Sequence, residues 1–449
     1  MKKVWLDVGT MLSWKRSAVG VVRVEVECAA YILKLDSPEF AFCQLSPNKK
    51  LIEVDSEQVK NALQFIYYSN QSAVQELPNQ SRILRLCQKI AIYLRDFWPA
   101  AYNTLRHAEP RIKAAVLNLE LRIKKILAAS KRTKSPPAAL ARIDSGDVYL
   151  SMGADWGRGN LDYLYALKKQ LGFRAVLFCY DIIPIKFPHL TLSWVAKVFP
   201  SYFCNLAWTA DSILAISECS KQDLTQYLKT TGAPQPPIDV VYLGSQIEPG
   251  QSENISAAVE EVLQKPFILY VSTIERRKNH EVLYRAYVHL VDQGIHDLPQ
   301  LVFVGMKGWG VSDFVNDIGL DMRTKSHITI LNHANDTDLC ALYQHALFTV
   351  YPSLYEGWGL PVAESLTLGQ FCIASSTSSL PEVGGDLIEY IDPWDVYKWA
   401  ERIHWYATHP DELEQKTDAI RTNYQPYQWQ ETGKIITDKA LALLHAERS

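Results

Sequence analysis

The most constraining feature of the sequence is a short apolar strand followed by a glycine-rich turn and a helix. The strand covers residues 347–351, and the turn at 357–361, reading GWGLP, leads into helix-compatible residues. Proline suits a first helical position, because its φ is fixed and it has no N–H to satisfy. Free backbone N–H groups and the positive end of the helix dipole then face the space above the strand. The pattern predicts an α/β sheet whose edge can bind a phosphorylated ligand.

Two glutamates flank this turn, separated by seven residues. Glu364 falls in the first helical turn, where a carboxylate can accept two hydrogen bonds from vicinal ribose hydroxyls. Glu356 lies in the loop and can reach a different hydroxyl-bearing group. Each residue alone also has an ordinary explanation, since Glu364 complements the helix dipole and Glu356 can be a solvated loop residue.

The complete run matches a known motif. Residues 356–364, reading EGWGLPVAE, resemble the Glu-x7-Glu motif of retaining GT-B glycosyltransferases, in particular family 4, and SLPEVGG at 379–385 fits the same pattern. The resemblance covers most of the chain except about 57–135. It implies an α/β GT-B fold, in which two Rossmann-like domains face a cleft. A nucleotide-sugar donor would bind the C-terminal domain, and an acceptor would bind the N-terminal domain.

The resemblance also implies roles for individual residues. Glu364 would contact the ribose and Glu356 the sugar. The loop STIERRKN at 272–279 resembles the family's Gly-Thr-x-Glu-Pro-Arg-Lys-Asn, with Arg276 in place of proline. Arg277 and Lys278 would stabilise the charge on the leaving diphosphate without a metal, although three cations in a loop are otherwise usually a solvated surface. Asn279 is expected to cap the next helix.

We therefore predict three catalytic residues, Glu356, Arg277 and Lys278. The backbone of the turn, together with a glycine of the first domain, would lie along the donor. The predicted donor-binding residues are Glu364, Gly357, Trp358, Gly359, Leu360 and Gly20.

The N-terminal part begins with a strand at 4–8, a loop, and a helix from Gly20 to about residue 35, as Rossmann-like domains do. The segment GVVRV at 20–24 resembles the family's Gly-Ile-x-Arg. DIIP at 181–184 resembles its His-Asp-x-x-Pro, which implies that Asp181 lies on the acceptor side of the cleft. Tyr180 stands where the family commonly has histidine, and a turn cap is the more frequent role of such an aspartate.

The chain has 449 residues, which favours two domains. Residues 234–254 are rich in Pro, Gly, Ser and Gln and indicate an interdomain linker. We predict an N-terminal acceptor-side domain over 1–245 and a C-terminal donor domain over 246–425. A final helix within 426–449 would cross back onto the N-terminal domain, with Trp429 at the crossing.

A basic segment interrupts the strand–helix alternation. Between residues 82 and 134 there are 13 Lys and Arg against 3 Asp and Glu, whereas the whole chain has a net charge of −3. We predict a helical insertion at about 57–135. Two interpretations of its charge stay open: a solvated basic face, or attachment to an anionic membrane surface near a lipid-linked acceptor.

Composition excludes several other classes. The small net charge argues against nucleic-acid binding, and the eight scattered cysteines contain no CxxC pair and suit a reducing compartment. No signal-peptide pattern or membrane-spanning apolar run is present, so we expect a cytoplasmic location, peripheral on the inner face of the cytoplasmic membrane. The Asp-x-Asp at 336–338 precedes an apolar helix and is better explained by capping. We expect no metal and no other cofactor.

The Glu-x-Arg-Lys-Asn variant resembles bacterial mannosyltransferases that build O-antigen or other surface polysaccharides from GDP-mannose. The expected partners are a nucleotide sugar and a glycan or polyprenyl-linked acceptor. Two alternatives remain. A nucleotide-sugar epimerase of the same fold would need acid–base carboxylates and histidines in the cleft. A non-catalytic scaffold would tolerate loss of the cleft charges, and the intact glutamate pair argues against it.

Overall fold

The computed structural model describes residues 1–14, 20–46, 49–68, 139–157, 161–247 and 254–446. Within these ranges the chain forms two sheets, each built mainly from parallel strands. The strands of the first sheet are β1 (Val4–Asp7), β2 (Phe40–Leu45), β3 (Leu51–Val54), β4 (Val148–Ser151), β5 (Arg174–Cys179), β6 (Ser212–Ala215) and β7 (Ile238–Val240). Their spatial order is β3-β2-β1-β4-β5-β6-β7, and the β2–β3 pair is antiparallel.

Helices connect these strands, as parallel neighbours require. The helices of this domain are α1 (Gly9–Ser13), α2 (Val21–Leu35), α3 (Ser56–Tyr68), α4 (Leu161–Leu171), α5 (Ile183–Lys186), α6 (Ser193–Thr209) and α7 (Glu218–Thr231). The Ser217 side chain caps α7, because it accepts from the backbone N–H of Ser220.

The second sheet has the order β10-β9-β8-β11-β12-β13, all parallel. Its strands are β8 (Phe267–Val271), β9 (Gln300–Val304), β10 (Ile328–Leu331), β11 (Thr349–Tyr351), β12 (Cys372–Ser375) and β13 (Glu389–Ile391). Its helices are α8 (Ala257–Val262), α9 (His280–Asp292), α10 (Ser312–Leu320), α11 (Asp336–His345), α12 (Leu360–Thr367), α13 (Leu380–Gly384), α14 (Val396–Thr408) and α15 (Pro410–Asn423).

The central strands are buried almost throughout, as expected for a parallel sheet covered by helices on both faces. The predicted α/β architecture with two Rossmann-like domains is confirmed. The predicted linker at 234–254 contains β7, which belongs to the first sheet. The connection between the two domains therefore begins only after Val240. Residues 248–253 of that linker lie outside the described residues.

The start predicted for the insertion, at about residue 57, falls inside the folded domain. Helix α3 contributes buried Val59, Leu63 and Ile66 to the same core cluster as β1 and α2. The strand–helix alternation breaks just before residue 57, because the antiparallel strands β2 and β3 follow each other with only residues 46–50 between them. The rest of the predicted insertion, residues 69–135, lies outside the described residues.

The last helix of the chain, α16 (Trp429–His445), packs against α2 of the first domain. Gly433 faces the Tyr31 ring closely, since a Cβ there would lie 2.8 Å from Tyr31 Cγ. Ile436 and Leu444 are buried in the contact, and burial of such a side chain is worth roughly 1.5–3 kcal/mol. The helix therefore ties the end of the chain to the N-terminal domain. Among the helices of the described ranges, none is both long enough and apolar enough to span a membrane.

Candidate active site

The site lies where the loops after β8 and β11 meet. These two strands pair in parallel, so their carboxyl ends lie at the same edge of the second sheet, where open α/β sheets bind ligands. The backbone N–H of Leu354 donates to the carbonyl of Arg277 at 2.9 Å and joins the two loops directly. Residues far apart in sequence are thereby brought into one place.

A charged cluster forms at this junction, and we call it the Glu356 cluster. Glu356 accepts from Arg277 Nη1 at 2.7 Å and from Lys278 Nζ at 2.6 Å, one cation on each carboxylate oxygen. Arg277 Nη2 also donates to Glu275 Oε1 at 2.9 Å, and Lys278 Nζ donates to the Tyr351 hydroxyl at 2.7 Å. These five residues are the Glu356 cluster. The three residues predicted to be catalytic thus lie in direct contact.

Electrostatics keep this cluster charged. Burial acts to raise the pKa of Glu356, but Arg277 and Lys278 outweigh it and hold that pKa at about 2. Burial lowers the pKa of Lys278, and the Glu356 charge acts in the opposite direction. Removing one member of such a buried pair typically costs about 3–5 kcal/mol, because the other charge is left uncompensated.

Glu364 has a different environment. It is the fifth residue of α12, one position beyond the first turn in which the sequence predicted it, and it is buried. The Tyr343 hydroxyl donates to Glu364 Oε2 at 3.3 Å, and Arg23 Nη1 lies 3.7 Å from Oε1. Burial raises the pKa of Glu364, while Arg23 and Tyr343 act in the opposite direction. Sequence reasoning missed both partners, since α2 and α11 meet Glu364 only through the tertiary fold.

The turn between the two glutamates is shaped by its glycines. Gly359 has φ of 125°, which glycine adopts readily, and it caps α12, whose first residue is Leu360. A Cβ on Gly357 would lie 2.4 Å from the carbonyl oxygen of Tyr180, so the turn touches the N-terminal domain. The Ser379 hydroxyl donates to the carbonyl of Trp358 at 2.7 Å and holds the turn in place. This contact explains the position of the downstream SLPEVGG segment.

The Trp358 indole does not extend into the charged site. It is 3% exposed and stacks on Tyr242, with ring centroids 5.0 Å apart, and it also lies beside Tyr427. The backbone of Trp358 can still contact a donor. That contact, and those of Gly357, Gly359 and Leu360, stay predictions.

The two predicted residues of the N-terminal domain lie in different settings. Gly20 caps α2 with φ of 52° and is exposed, and residues 15–19 before it lie outside the described residues. Asp181 Oδ1 accepts from the N–H of Ile183 at 2.9 Å, so it does cap a turn. Burial also raises the pKa of Asp181, and the first opposing charge is Arg277 of the other domain. Asp181 therefore serves both as a cap and as a neighbour of the Glu356 cluster.

Three other residues singled out by the sequence lie in or near the same loops. Tyr180 turns its hydroxyl away, to the carbonyl of Met152 at 2.6 Å, so its phenol does not replace the family histidine. Arg276 is exposed, next to Gly310. The expectation that Asn279 caps α9 with its side chain is wrong: φ is 56°, and its amide donates to the carbonyls of Pro352 and Pro393 instead.

Contacts between the domains surround the cluster and were not predicted. The Tyr355 hydroxyl binds Lys186 and Asp223 of the N-terminal domain at 2.7 and 2.6 Å, while its carbonyl accepts from Arg277. Glu382 accepts from the N–H groups of Glu218 and Cys219 at the start of α7. Glu382 lies within the SLPEVGG motif, in the first turn of α13. Its sequence position does not reveal that its hydrogen-bond partners belong to the other domain. These contacts hold the domains together beside the site.

The described residues contain no group of three or more His, Cys, Asp or Glu side chains suited to a metal ion. In the Asp-x-Asp segment, Asp338 forms a capping box with Asn335, which confirms the capping explanation. The cations of the Glu356 cluster are the side chains of Arg277 and Lys278.

Comparison with known proteins finds matches to glycosyl transferases. Residues 251–423 match the family described as glycosyl transferases group 1. Over 130 residues the chain is 38% identical to O-antigen chain mannosyltransferase B of Escherichia coli, covering 29% of this chain and 34% of that protein. Over 323 residues it is 26% identical to the serotype-specific mannosyltransferase WbdA of Escherichia coli, covering 69% and 38%. The chain thus spans about a third of the length of these relatives.

Among solved structures, sucrose-phosphate synthase from Thermosynechococcus elongatus superposes with a TM-score of 0.59 at 14% identity, over the full length of both chains. At this identity the likeness establishes the fold, which is GT-B, as predicted. The match extends beyond the region covered by the family model and includes both domains.

Proposed function

We propose that this chain, whose residues 251–423 match the group 1 glycosyl transferases, moves mannose from GDP-mannose to a glycan or polyprenyl-linked acceptor. The reaction would serve the synthesis of O-antigen, capsule or another exopolysaccharide. One observation carries the proposal: Arg277 and Lys278 converge on Glu356 at the sheet edge, beside the helix that bears Glu364. The choice of mannose is supported by the names of the relatives and by the Glu-x-Arg-Lys-Asn variant.

The donor would lie across this edge. Glu364 accepts the ribose hydroxyls, and the turn at 357–360 follows the sugar. Lys278 Nζ has three N–H groups, and contacts to Glu356 and Tyr351 use two of them, which leaves one for a phosphate oxygen. Arg277 is fixed by Glu275, Glu356 and the Tyr355 carbonyl, so its charge is already oriented when the donor arrives.

The transfer step breaks the bond between the sugar C1 and the β-phosphate oxygen, and the nucleoside diphosphate leaves with the electron pair. The acceptor hydroxyl forms the new bond to C1 on the face that the phosphate vacates, so the anomeric configuration is retained. The hydroxyl proton passes to the departing phosphate. No protein nucleophile is then needed, and Glu356 would hold the two cations and contact the sugar.

We propose that this step needs no metal ion, because fixed arginine and lysine charges can stabilise the leaving diphosphate. Transfer should therefore continue in EDTA. A strict requirement for Mg²⁺ or Mn²⁺ would contradict this part of the proposal.

The acceptor would approach from the N-terminal domain, with Asp181 facing it. We also propose a cytoplasmic enzyme attached to the inner face of the membrane through the basic segment 82–134. That segment lies outside the described residues, and its charge alone supports the idea. The intact protein should float with anionic liposomes at low salt and should remain unbound with neutral ones.

Nucleotide selectivity gives the first test of the proposed function. Thermal shifts are recorded with GDP, UDP, dTDP and ADP without metal; a ligand at about 100 times its Kd stabilises a protein by roughly 2.7 kcal/mol. A response to GDP alone, followed by mannose transfer from GDP-mannose to membrane-extracted lipid-linked glycan, is expected. Conversion of the donor without any acceptor would indicate an epimerase. The absence of any nucleotide response would indicate a non-catalytic scaffold.

A further inference from the structure

Arg23 is a cation of the N-terminal domain that lies close to Glu364, the residue assigned to the ribose. It lies in α2, and its Nη1 is 3.7 Å from Glu364 Oε1 in the C-terminal domain. Its Nη2 donates to the carbonyl of Gln246 at 2.7 Å, and its guanidinium carbon lies 5.3 Å from the Trp429 ring. Three separate parts of the chain thus hold this side chain, which is only 17% exposed. Its Nε also lies 3.8 Å from Glu27 Oε1, one turn along α2.

The contacts of Glu364 leave its carboxylate able to accept hydrogen bonds from a ligand. At 3.7 Å the Arg23–Glu364 contact is an interaction of charges, longer than a hydrogen bond, so it does not occupy the lone pairs of Oε1. At Oε2 the Tyr343 hydroxyl donates one long hydrogen bond of 3.3 Å, which leaves the second lone pair of that oxygen for a ligand. An ionised carboxylate accepts hydrogen bonds at both oxygens, whereas a protonated one loses part of that capacity.

The other groups that face Glu364 lie on α11. They are Tyr343, Asp336 and Cys340. Burial raises the pKa of Glu364 and Asp336 adds to this effect, while Arg23 and the Tyr343 hydroxyl oppose it. Arg23 is the cation of this group, and it belongs to the other domain.

We propose that Arg23 is a positioning residue that keeps Glu364 ionised and oriented for the ribose hydroxyls, so that nucleotide affinity depends on contact between the two domains. The inference rests on the role of Glu364 in the proposed function. It adds a residue of the N-terminal domain to the donor site, and it makes the nucleotide a ligand that favours the joined arrangement of the domains.

The test is calorimetric titration of GDP and of 2′,3′-dideoxy-GDP, which lacks both ribose hydroxyls. Arg23→Gln should weaken GDP about tenfold at neutral pH, the effect expected for loss of a charged partner. It should leave the affinity for the dideoxy nucleotide unchanged. The acid limb of GDP binding should move to higher pH, because a carboxylate without its cation takes up a proton more easily. Arg23→Lys should retain most of the GDP affinity.

Arg285→Gln is the matched control. Arg285 is exposed on α9 and pairs with Glu281, and its replacement should change neither nucleotide affinity nor the pH profile. Arg23→Met keeps the apolar stem against Trp429 and supplies a second neutral variant if Arg23→Gln does not fold. Equal weakening of GDP and dideoxy-GDP, or an unchanged acid limb, would overturn the proposal.

Glu364→Ala, titrated in parallel, distinguishes failure of the proposed ribose contact from failure of the proposed role of Arg23. If this variant binds GDP as the wild type does, the ribose role in the proposed function is wrong. If it loses affinity while Arg23→Gln does not, the proposed function stands and the role of Arg23 alone is refuted.

Discussion

The two glutamates of the motif differ sharply in how their charges are balanced. Glu356 has a cation on each oxygen, both from one loop of its own domain, and its pKa is held at about 2. Glu364 has one more distant cation, supplied by the other domain, and burial raises its pKa. The charge of Glu356 is balanced within its own domain, whereas Glu364 can still accept hydrogen bonds from a ligand.

This difference indicates distinct tasks for two similar residues. The Glu356 cluster is a fixed element that orients Arg277 and Lys278, and its charges support one another. Glu364 is incompletely compensated, as expected of a group that gains its remaining hydrogen bonds when a hydroxyl-rich ligand binds. The account predicts that equivalent substitutions at the two positions have opposite effects on stability.

The largest expected effect is that of Glu356→Gln. The variant leaves Arg277 and Lys278 buried with one fewer negative charge, so the free energy of unfolding should fall by about 3 kcal/mol. Transfer should fall by about a thousandfold, because misplaced cations no longer meet the leaving diphosphate. Urea unfolding and transfer rates measure these effects. Glu281→Gln, at an exposed pair, is the control and should cost less than about 1 kcal/mol. Wild-type stability of Glu356→Gln would contradict the account.

The pH dependence of stability sharpens the same contrast. A carboxyl whose folded pKa is depressed stabilises the protein above its unfolded pKa, and this contribution is lost as pH falls through the folded pKa. The wild type should therefore exceed Glu356→Gln by about 3 kcal/mol at about pH 7, and the difference should shrink as pH falls from about 4.5 toward 2. Urea unfolding of both proteins at several pH values checks this. A difference that is constant down to about pH 3 would be inconsistent with a lowered pKa.

Gly357→Ala tests whether the cluster depends on the neighbouring domain. The added Cβ would meet the Tyr180 carbonyl at 2.4 Å and push the turn away from the N-terminal domain. Transfer should fall by about a hundredfold, since small misplacements of reacting groups cost that much. Gly319→Ala is the control, because its Cβ would meet nothing within 4 Å. Wild-type activity in Gly357→Ala would show that this approach of the domains is dispensable.

Glu364→Gln should have the smallest effect on the free energy of unfolding. The sign of this effect distinguishes Glu364 from Glu356. Removing a buried, incompletely compensated charge should raise the free energy of unfolding by up to about 1 kcal/mol, a common result at functional positions. GDP affinity should fall at the same time. Thermal unfolding with and without GDP measures both quantities. A loss of stability as large as that of Glu356→Gln would remove the distinction between the two glutamates.

Local patterns predicted much of the fold. The strand at 4–8, the helix after Gly20 and the turn into α12 were all indicated by periodicity and by glycine and proline positions. Helix α3 was misassigned to an insertion because the antiparallel strands β2 and β3, which precede it, break the alternating pattern.

The candidate site was predicted as separate residues, without the contacts that join them. Glu356, Arg277 and Lys278 could be found from their motifs, but their mutual contact depends on β8 and β11 being neighbours. Arg23 and Tyr355 act across domains, and no local spacing encodes such pairs. Glu275 could have been suspected, because it lies two residues before Arg277 in the same loop.

The most direct test of the central claim is calorimetric titration of GDP-mannose into the wild type and Glu364→Ala, with Glu281→Ala as the control and no metal added. The account predicts saturable binding to the wild type and the control, and at least about tenfold weaker binding to Glu364→Ala, whose ribose hydroxyls lose a charged acceptor. Equal affinity in all three proteins would contradict it.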